Sequence, residues 1–171
     1  MDGLKKVCIG EVADKILEQI SKGAFLTVKA QDKLNTMTIG WGTFGRMWNK
    51  PVFMVMVRYS RYTYELIEKA DTFTVSVPLN GKFKEALAFC GSKSGRDHDK
   101  FKECNLTAKP GQKVDTPVIE GCDIHVECRI LYKQPLDPEK LPEEIIDMSY
   151  KDGDFHVLYY GEILGVYIEE Q

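Results

Sequence analysis

The chain has 171 residues, of which 43% are hydrophobic and 29% are charged, with 23 Lys and Arg against 26 Asp and Glu. This composition is that of an ordinary globular protein, and the length predicts a single domain, residues 1–171, with enough core to fold by itself. The near-balanced charge argues against nucleic acid as the main partner, and no apolar run reaches the roughly 20 residues of a membrane-spanning helix.

The N-terminal segment and the cysteines both indicate a reducing compartment. Residues 1–15 carry charge but no apolar stretch before a small-residue cleavage site, so we expect a cytoplasmic protein that does not associate with membranes. The five cysteines form no C-x-x-C pair and are expected to be small core residues. A metal site built from Cys122, His125 and Cys128 is not expected, because strand alternation turns His125 away from both thiols.

The first half of the chain predicts one helix followed mainly by strands. Val12, Ile16 and Ile20 recur four residues apart, which predicts an amphipathic helix over 11–22. Short apolar segments rich in β-branched and aromatic residues predict strands at 24–30, 36–42, 52–57 and 72–78. Gln31, Asp32 and Lys33 predict a tight hairpin between the first two strands.

Helices and long strands are predicted in the remainder. Further helices are predicted at 60–70, with Ser60 near the N-cap, at 82–91, with Gly91 past its end, and at 97–104. Two long strands, 122–133 and 155–168, flank a proline-bounded helical segment at 138–149.

The second long strand is apolar on both faces, which predicts burial by its own domain or by a partner subunit. Because strands and helices do not alternate regularly, we expect a mainly β fold, a small barrel with peripheral helices.

Residues 40–45 match G-x-G-x-x-G and follow a predicted strand. A dinucleotide-binding fingerprint would next need a helix to meet the pyrophosphate. Residues 46–51 contain a proline and no helical periodicity, and another strand follows, so we reject that interpretation. The glycines are expected to admit a flat ligand or to turn a barrel corner, and Trp41 beside them could form an aromatic wall.

The best candidate for an anion site lies at residues 57–63, where a buried strand ends in two arginines and two hydroxyls at a helix start. Such a group could hold a phosphate, and the alternative is a capped helix with solvated arginines. The polar loop 91–97 could close on the same anion or be a plain surface loop. The excess of basic residues in 1–134, 21 against 16 acidic, fits an anionic ligand or simply balances an acidic C-terminal region.

Three segments, residues 35–42, 50–53 and 57–65, resemble the flavin reductase family, which has the FMN-binding split β-barrel fold. Residues 94–101 and 156–163 are similar to its flavoredoxin-like branch, and together the segments follow the family's order over roughly residues 15–168. The resemblance implies FMN as cofactor, NADH or NADPH as possible electron donor, and a homodimer with FMN at the subunit interface.

The resemblance also implies site residues. Asn35, Thr36, Met37 and Thr38 would line the isoalloxazine ring, with Trp41 near it. The ribityl chain and the phosphate would contact Arg58, Ser60, Arg61 and Thr63, and also Ser92, Lys93 and Ser94 of the second loop. His156 matches the family's Gly-Asp-His stretch displaced by Phe155, and would lie near the flavin or the nicotinamide. No nucleophile–base pair and no metal ligands are expected, so the chemistry would be the cofactor's.

Two functions follow from the resemblance. One is an oxidoreductase that passes electrons from NAD(P)H through FMN to free flavin, ferric iron or a partner redox protein. The alternative is a non-catalytic FMN-binding protein that transfers electrons, as in flavoredoxins, or stores flavin. A barrel that binds another phosphorylated ligand is a third interpretation.

Overall fold

A computed structural model of the chain describes residues 3–169. The strands are β1 (Leu4–Val7), β2 (Ala24–Ala30), β3 (Lys33–Ile39), β4 (Gly42–Met47), β5 (Lys50–Arg58), β6 (Thr72–Val77), β7 (Ala108–Lys109), β8 (Val118–Ile119), β9 (Ile124–Pro135) and β10 (His156–Glu169). The helices are α1 (Ala13–Ile20), α2 (Tyr62–Ile67), α3 (Lys84–Ser92), α4 (Lys100–Glu103) and α5 (Glu143–Ser149). Short 3-10 turns cover Ile9–Glu11 and Pro138–Lys140. The fold is mainly β with peripheral helices, as the sequence predicted.

One antiparallel sheet contains eight of the strands, in the order β3-β2-β6-β9-β10-β5-β4, with β1 paired to the end of β10. The chain passes from β3 at one end of this order to β4 at the other through only Gly40 and Trp41. The two ends of the sheet are therefore held close together at this point. The short strands β7 and β8 form a separate pair.

The core lies on the inner face of the sheet, where alternate side chains of β2, β5, β6, β9 and β10 meet. Ile16 and Ile20 of α1 cover it, as the apolar periodicity of that helix predicted, and Leu66 and Ile67 of α2 cover it as well. A smaller cluster on the opposite side joins Phe25 to α3 and α4. None of the helices within residues 3–169 is long and apolar enough to span a membrane.

The strand at 24–30 and the hairpin after it were predicted correctly. Gln31 has φ of 54° at the turn, and β3 already begins at Lys33. The prediction of a strand over 36–42 was wrong at its end, because β3 stops at Ile39 and Gly42 opens β4. The backbone reverses at residues 40–41, and a regular strand cannot cross such a corner.

The G-x-G-x-x-G segment forms strand rather than helix, which confirms that it is no dinucleotide fingerprint. β4 and β5 form a hairpin around Trp48 and Asn49, both at positive φ. Gly42 is required by close packing, since a Cβ there would lie 3.1 Å from the Met54 carbonyl and from the Phe53 ring.

Two predicted helix ends differ from the structure. The helix predicted over 60–70 begins only at Tyr62, with Arg61 as its N-cap, so Ser60 lies near the cap as predicted, and its hydroxyl donates to Asp154 in a distant segment. Gly91 lies inside α3, which ends at Ser92. A Cβ at Gly91 would lie 3.3 Å from Cβ of Thr38, so the glycine lets the helix approach β3 closely.

Candidate functional site

Two adjoining cavities open where the corner between β3 and β4 meets the start of α2. The ring cavity, of about 170 Å³, is lined by Met37, Thr38, Ile39, Gly40, Trp41, Met56, Arg58, Arg61 and His156. The anion cavity, of about 110 Å³, is lined by Asn35, Met37, Ser60, Arg61, Tyr62, Thr63, Ser92, Lys93, Ser94, Gly95 and Lys100. The two cavities share Met37 and Arg61 and thus form one elongated site.

β3 supplies the floor of this site, and its period of two decides which side chains face the cavities. Asn35 and Met37 point into them, and Asn35 Nδ2 donates a hydrogen bond of 2.9 Å to Thr63 Oγ1. Thr36 points into the sheet interior instead, where its hydroxyl donates to the Leu26 carbonyl over 3.2 Å. The resemblance assigned Thr36 to the ring, but its side chain lines neither cavity.

Thr38 contacts the ring cavity from the side of α3. Its hydroxyl donates to the Leu87 carbonyl over 2.6 Å, so the helix and not a ligand uses this proton. The side chain therefore fixes the position of α3 against β3 and presents its remaining surface to the cavity.

Arg58, at the end of β5, is already committed to the segment between α5 and β10. Its Nη1 donates to the Asp154 carbonyl over 2.5 Å and its Nη2 to the Ser149 carbonyl over 3.0 Å. Ser60 behaves in the same way, because its hydroxyl donates to Asp154 Oδ2 over 2.5 Å. The structure thus brings both residues to the site but gives their polar groups partners from residues 149–154.

Arg61 lies at the junction of the two cavities. Its Nη1 donates to the Gly91 carbonyl at the end of α3 over 2.9 Å, which leaves other guanidinium donors for a ligand. Thr63, the second residue of α2, is buried and accepts the hydrogen bond from Asn35. The prediction that the 57–63 segment gathers polar groups at a helix start agrees with this geometry.

The loop after α3 forms the outer wall of the anion cavity. The Ser92 hydroxyl donates back to the Ala88 carbonyl over 2.8 Å, and Ser94 Oγ accepts from the Arg96 amide, while Lys93 is exposed. Gly95 packs so closely that a Cβ would overlap Asn35 Oδ1 and lie 2.7 Å from Tyr62 Cδ1. Only glycine allows the loop to close against β3 and α2 here.

Lys100 is a site residue that the sequence did not single out. Its side chain is only 4% exposed, and Nζ donates to the carbonyls of Thr36 (3.0 Å) and Cys90 (2.9 Å). An ammonium group has three N–H donors, so one is left, and the residue lines the anion cavity. Burial, opposed in part by nearby thiols, lowers the pKa of Lys100.

Nothing local in the sequence indicates that Lys100 is buried. Asp99 accepts the Lys102 amide as the N-cap of α4, and this short helix then directs Lys100 inward beneath β3. The contact joins residues 64 positions apart, which no periodicity can reveal.

The far end of the ring cavity is aromatic. Trp41 is 48% exposed, and its ring centroid lies 5.3 Å from that of His156, which pairs with Arg58 across β10 and β5. His156 is 8% exposed, and burial, followed by the charge of Arg58, lowers its pKa to about 4. The imidazole is therefore neutral at neutral pH.

The site has an excess of positive charge. Arg58, Arg61 and Lys100 all line it, and none of the described residues that line either cavity is acidic. The arrangement suits an elongated molecule with a flat, largely apolar end and an anionic end.

Comparison with known proteins gives this arrangement a context. Residues 20–171 match the family model described as "Flavin reductase like domain". A protein of Archaeoglobus fulgidus described as uncharacterised is 30% identical over 142 residues, which are 83% of this chain and 70% of that protein.

Two solved structures are also similar. The flavoredoxin from Methanosarcina acetivorans has 28% identity, TM-score 0.67, and coverage of 87% and 69% of the two chains. An FMN-binding protein from Thermus thermophilus with bound 1-cyclohex-2-enone has 26% identity, TM-score 0.67, and coverage of 86% and 70%.

Proposed function

We propose, because this chain belongs to the flavin reductase like domain family, that it binds FMN and transfers electrons from NADH or NADPH through it to an acceptor. When bound, FMN supplies a ring system that takes up a hydride and releases electrons. Everything else in the reaction depends on how the chain's own residues hold that group and shape its surroundings.

The observation that carries the proposal is the pairing of the two cavities. A buried ammonium group and a guanidinium group, from Lys100 and Arg61, lie in a cavity that directly adjoins the ring cavity, where Trp41 supplies an aromatic wall. FMN has the matching chemistry, since it carries a phosphate at one end and a flat ring at the other. A buried cation without an acidic partner is costly to fold, and a bound phosphate would offset that cost.

The residues of this chain fit FMN in a definite order. Lys100, Arg61 and the 92–95 loop would hold the phosphate, and Asn35 and Met37 would line the middle of the site. Trp41, Met56 and His156 would bound the ring. Arg58 would act indirectly, because its hydrogen bonds fix the 149–154 segment against the ring cavity.

The outer face of the sheet beside the ring cavity supports a homodimer. Leu158 lies opposite Met56, and Tyr160 lies opposite both Met54 and Tyr132, and these side chains are at least partly exposed. Met56 also lines the ring cavity, so the apolar face and the site are continuous. We propose that a second copy of the chain covers this face and closes the ring cavity.

The dimer can be tested separately from the cofactor. We expect Tyr160→Lys to give a monomer by light scattering and to weaken FMN binding, because it places a charge in the covered face. A monomeric wild-type protein at micromolar concentration would overturn the dimer. A matched control is Lys133→Ala, because Lys133 pairs with Tyr159 of β10 and therefore lies on the opposite face of the sheet from Tyr160.

A non-catalytic electron carrier is the second candidate function. The likeness to the flavoredoxin of M. acetivorans favours it, at 28% identity over 87% of this chain. Such a protein needs the FMN site but no space for a nicotinamide. An oxidoreductase, in contrast, needs space for the nicotinamide in the ring cavity beside the flavin.

One experiment separates the two functions. The protein is loaded with FMN, freed of unbound FMN, and mixed with NADH or with NADPH in the absence of oxygen. Loss of the visible flavin absorption, faster than for the same amount of free FMN, supports the oxidoreductase. Flavin that stays oxidised with both nucleotides but is reduced by dithionite supports the carrier. A protein that retains no flavin after incubation with FMN overturns both and favours another phosphorylated ligand.

A further inference from the structure

Tyr150, just after α5, lies against His156 at the start of β10. The Tyr150 hydroxyl oxygen and His156 Nδ1 are 2.7 Å apart, and the two rings meet edge to face. Tyr150 is buried, its ring is stacked on Phe155 with centroids 4.8 Å apart, and the Arg58 guanidinium lies 5.1 Å from the ring centroid. These contacts fix the position of the hydroxyl.

The direction of the hydrogen bond follows from what each group needs. Within residues 3–169, the partner that the structure gives to the Tyr150 hydroxyl is His156 Nδ1. A buried phenol proton requires an acceptor, and a neutral imidazole has one acceptor nitrogen and one donor nitrogen. If Tyr150 donates to Nδ1, the imidazole proton is on Nε2.

The Nε2 atom of His156 is open to the ring cavity. In the described part of the chain, the buried side-chain polar atom that lacks a partner is Nε2 of His125. His156 Nε2 likewise has no hydrogen-bond partner among residues 3–169, but it is not a fully buried atom, and His156 lines the ring cavity.

We propose that Tyr150 is a positioning residue that holds His156 as the neutral Nε2–H tautomer, so that Nε2 donates a hydrogen bond to a carbonyl oxygen of the molecule in the ring cavity. The opposite tautomer would present a lone pair, which a carbonyl oxygen repels. The carbonyl could belong to the flavin ring or to a nicotinamide carboxamide, and this part rests on the proposed function. The tautomer of His156 does not rest on the proposed function, because it exists in the protein without cofactor.

The tautomer is measured by long-range ¹H–¹⁵N NMR of the histidine side chains in the protein without FMN. The chain has three histidines, and the signals that disappear in the variant His156→Gln are those of His156. We expect a protonated Nε2 and an unprotonated Nδ1 in the wild type, and a mixture of tautomers in Tyr150→Phe. A wild-type His156 protonated on Nδ1 would by itself overturn the proposal.

Phe155→Leu is the matched control, because it removes the stacked ring but keeps the hydroxyl. We expect it to retain the wild-type tautomer. If it shifts the tautomer as Tyr150→Phe does, or if Tyr150→Phe shifts nothing, packing and not the hydroxyl determines the tautomer, and the positioning role is wrong.

Added ligands then identify the carbonyl. A change in the His156 Nε2–H signal on adding FMN supports the flavin ring as acceptor, and a change only after oxidised nicotinamide nucleotide is added supports the carboxamide. No change with both bound overturns the donor role while the proposed function stands. If FMN does not bind at all, the proposed function and the donor role fail, but the tautomer is still decided by the cofactor-free spectra.

Discussion

The two ends of the candidate site hold their cations in different surroundings. In the ring cavity, the Arg58 guanidinium donates to the carbonyls of Ser149 and Asp154 and so serves the protein's own 149–154 segment. In the anion cavity, Lys100 is buried and retains one donor. Arg58 gives two of its five N–H donors to these carbonyls while it stays partly exposed, whereas the buried Lys100 gives two of three, so the donors left for a ligand depend on contacts with residues distant in the sequence.

Acid should have the largest effect, and it acts at the ring end. His156 has a pKa of about 4 in the folded protein and about 6.5 when unfolded. The unfolded state therefore binds the proton first, and the free energy of unfolding falls as the pH falls from 6.5 to 4. The loss is about 3 kcal/mol from this residue.

Urea unfolding of the FMN-free protein at a series of pH values measures this loss. We expect His156→Gln to flatten the pH dependence, although His125, whose pKa burial also lowers to about 4, contributes in both proteins. His98→Gln removes a partly exposed histidine outside the site and is the matched control for the loss of one imidazole. Curves for wild type and His156→Gln that run parallel would contradict the burial of a neutral His156.

Lys100→Met tests the anion end. The loss of a charge-assisted hydrogen bond to phosphate should weaken FMN binding by about 2–3 kcal/mol. Riboflavin, which lacks the phosphate, should lose far less, and fluorescence titration with both ligands measures the difference. The control Lys102→Met removes an exposed lysine of α4 that lines neither cavity and should change either affinity by less than about 1 kcal/mol. Equal losses for FMN and riboflavin would show that Lys100 does not contact the phosphate.

Arg61→Ala should weaken FMN binding by about 1.5–3 kcal/mol if the guanidinium makes a charge-assisted contact with the phosphate. Because Arg61 also donates to the Gly91 carbonyl, the variant needs a check of its unfolding midpoint. Unchanged FMN affinity in a titration would remove Arg61 from the anion site.

Arg58→Met tests whether Arg58 and Lys100 have different roles. It leaves two carbonyls of residues 149–154 without their donor, so we expect the protein to lose about 1–2 kcal/mol of unfolding free energy. The difference in affinity between FMN and riboflavin should stay as in the wild type. A phosphate-specific loss as large as that of Lys100→Met would mean that the two cations act alike.

Trp41→Ala should have the smallest effect on affinity, less than about 1 kcal/mol, because the side chain is half exposed. The flavin's fluorescence and reduction potential should change more, since these depend on the group beside the ring. If neither changes, Trp41 is only a structural residue of the β3–β4 corner.

The fold was largely predictable because it depends on local patterns. The apolar segment 24–30 with its β-branched and aromatic residues, the turn at Gln31 and the four-residue spacing of Ile16 and Ile20 all correspond to observed elements. The polar segment at 57–63 was also visible, since several groups of one chemistry stand together in the chain.

The parts that could not be predicted depend on contacts between distant segments. Only the exact register of β3 shows that the Asn35 side chain lines the site while that of Thr36 does not. Likewise, only the position of Asp154 shows that the Ser60 hydroxyl already has a hydrogen-bond partner. Lys100 looks like any surface lysine until α4 places it beneath β3. Nothing in the sequence indicates that the Tyr150 hydroxyl contacts His156, because this contact depends on the path of the chain into β10.

The most direct test of the two-ended site is a calorimetric titration of the cofactor-free protein with FMN and, separately, with riboflavin. We expect one FMN for each chain, bound at least about tenfold more tightly than riboflavin, which corresponds to about 1.4 kcal/mol from the phosphate. Equal affinities for the two ligands would contradict this expectation, because a buried cation facing the ligand's anionic end would then contribute nothing.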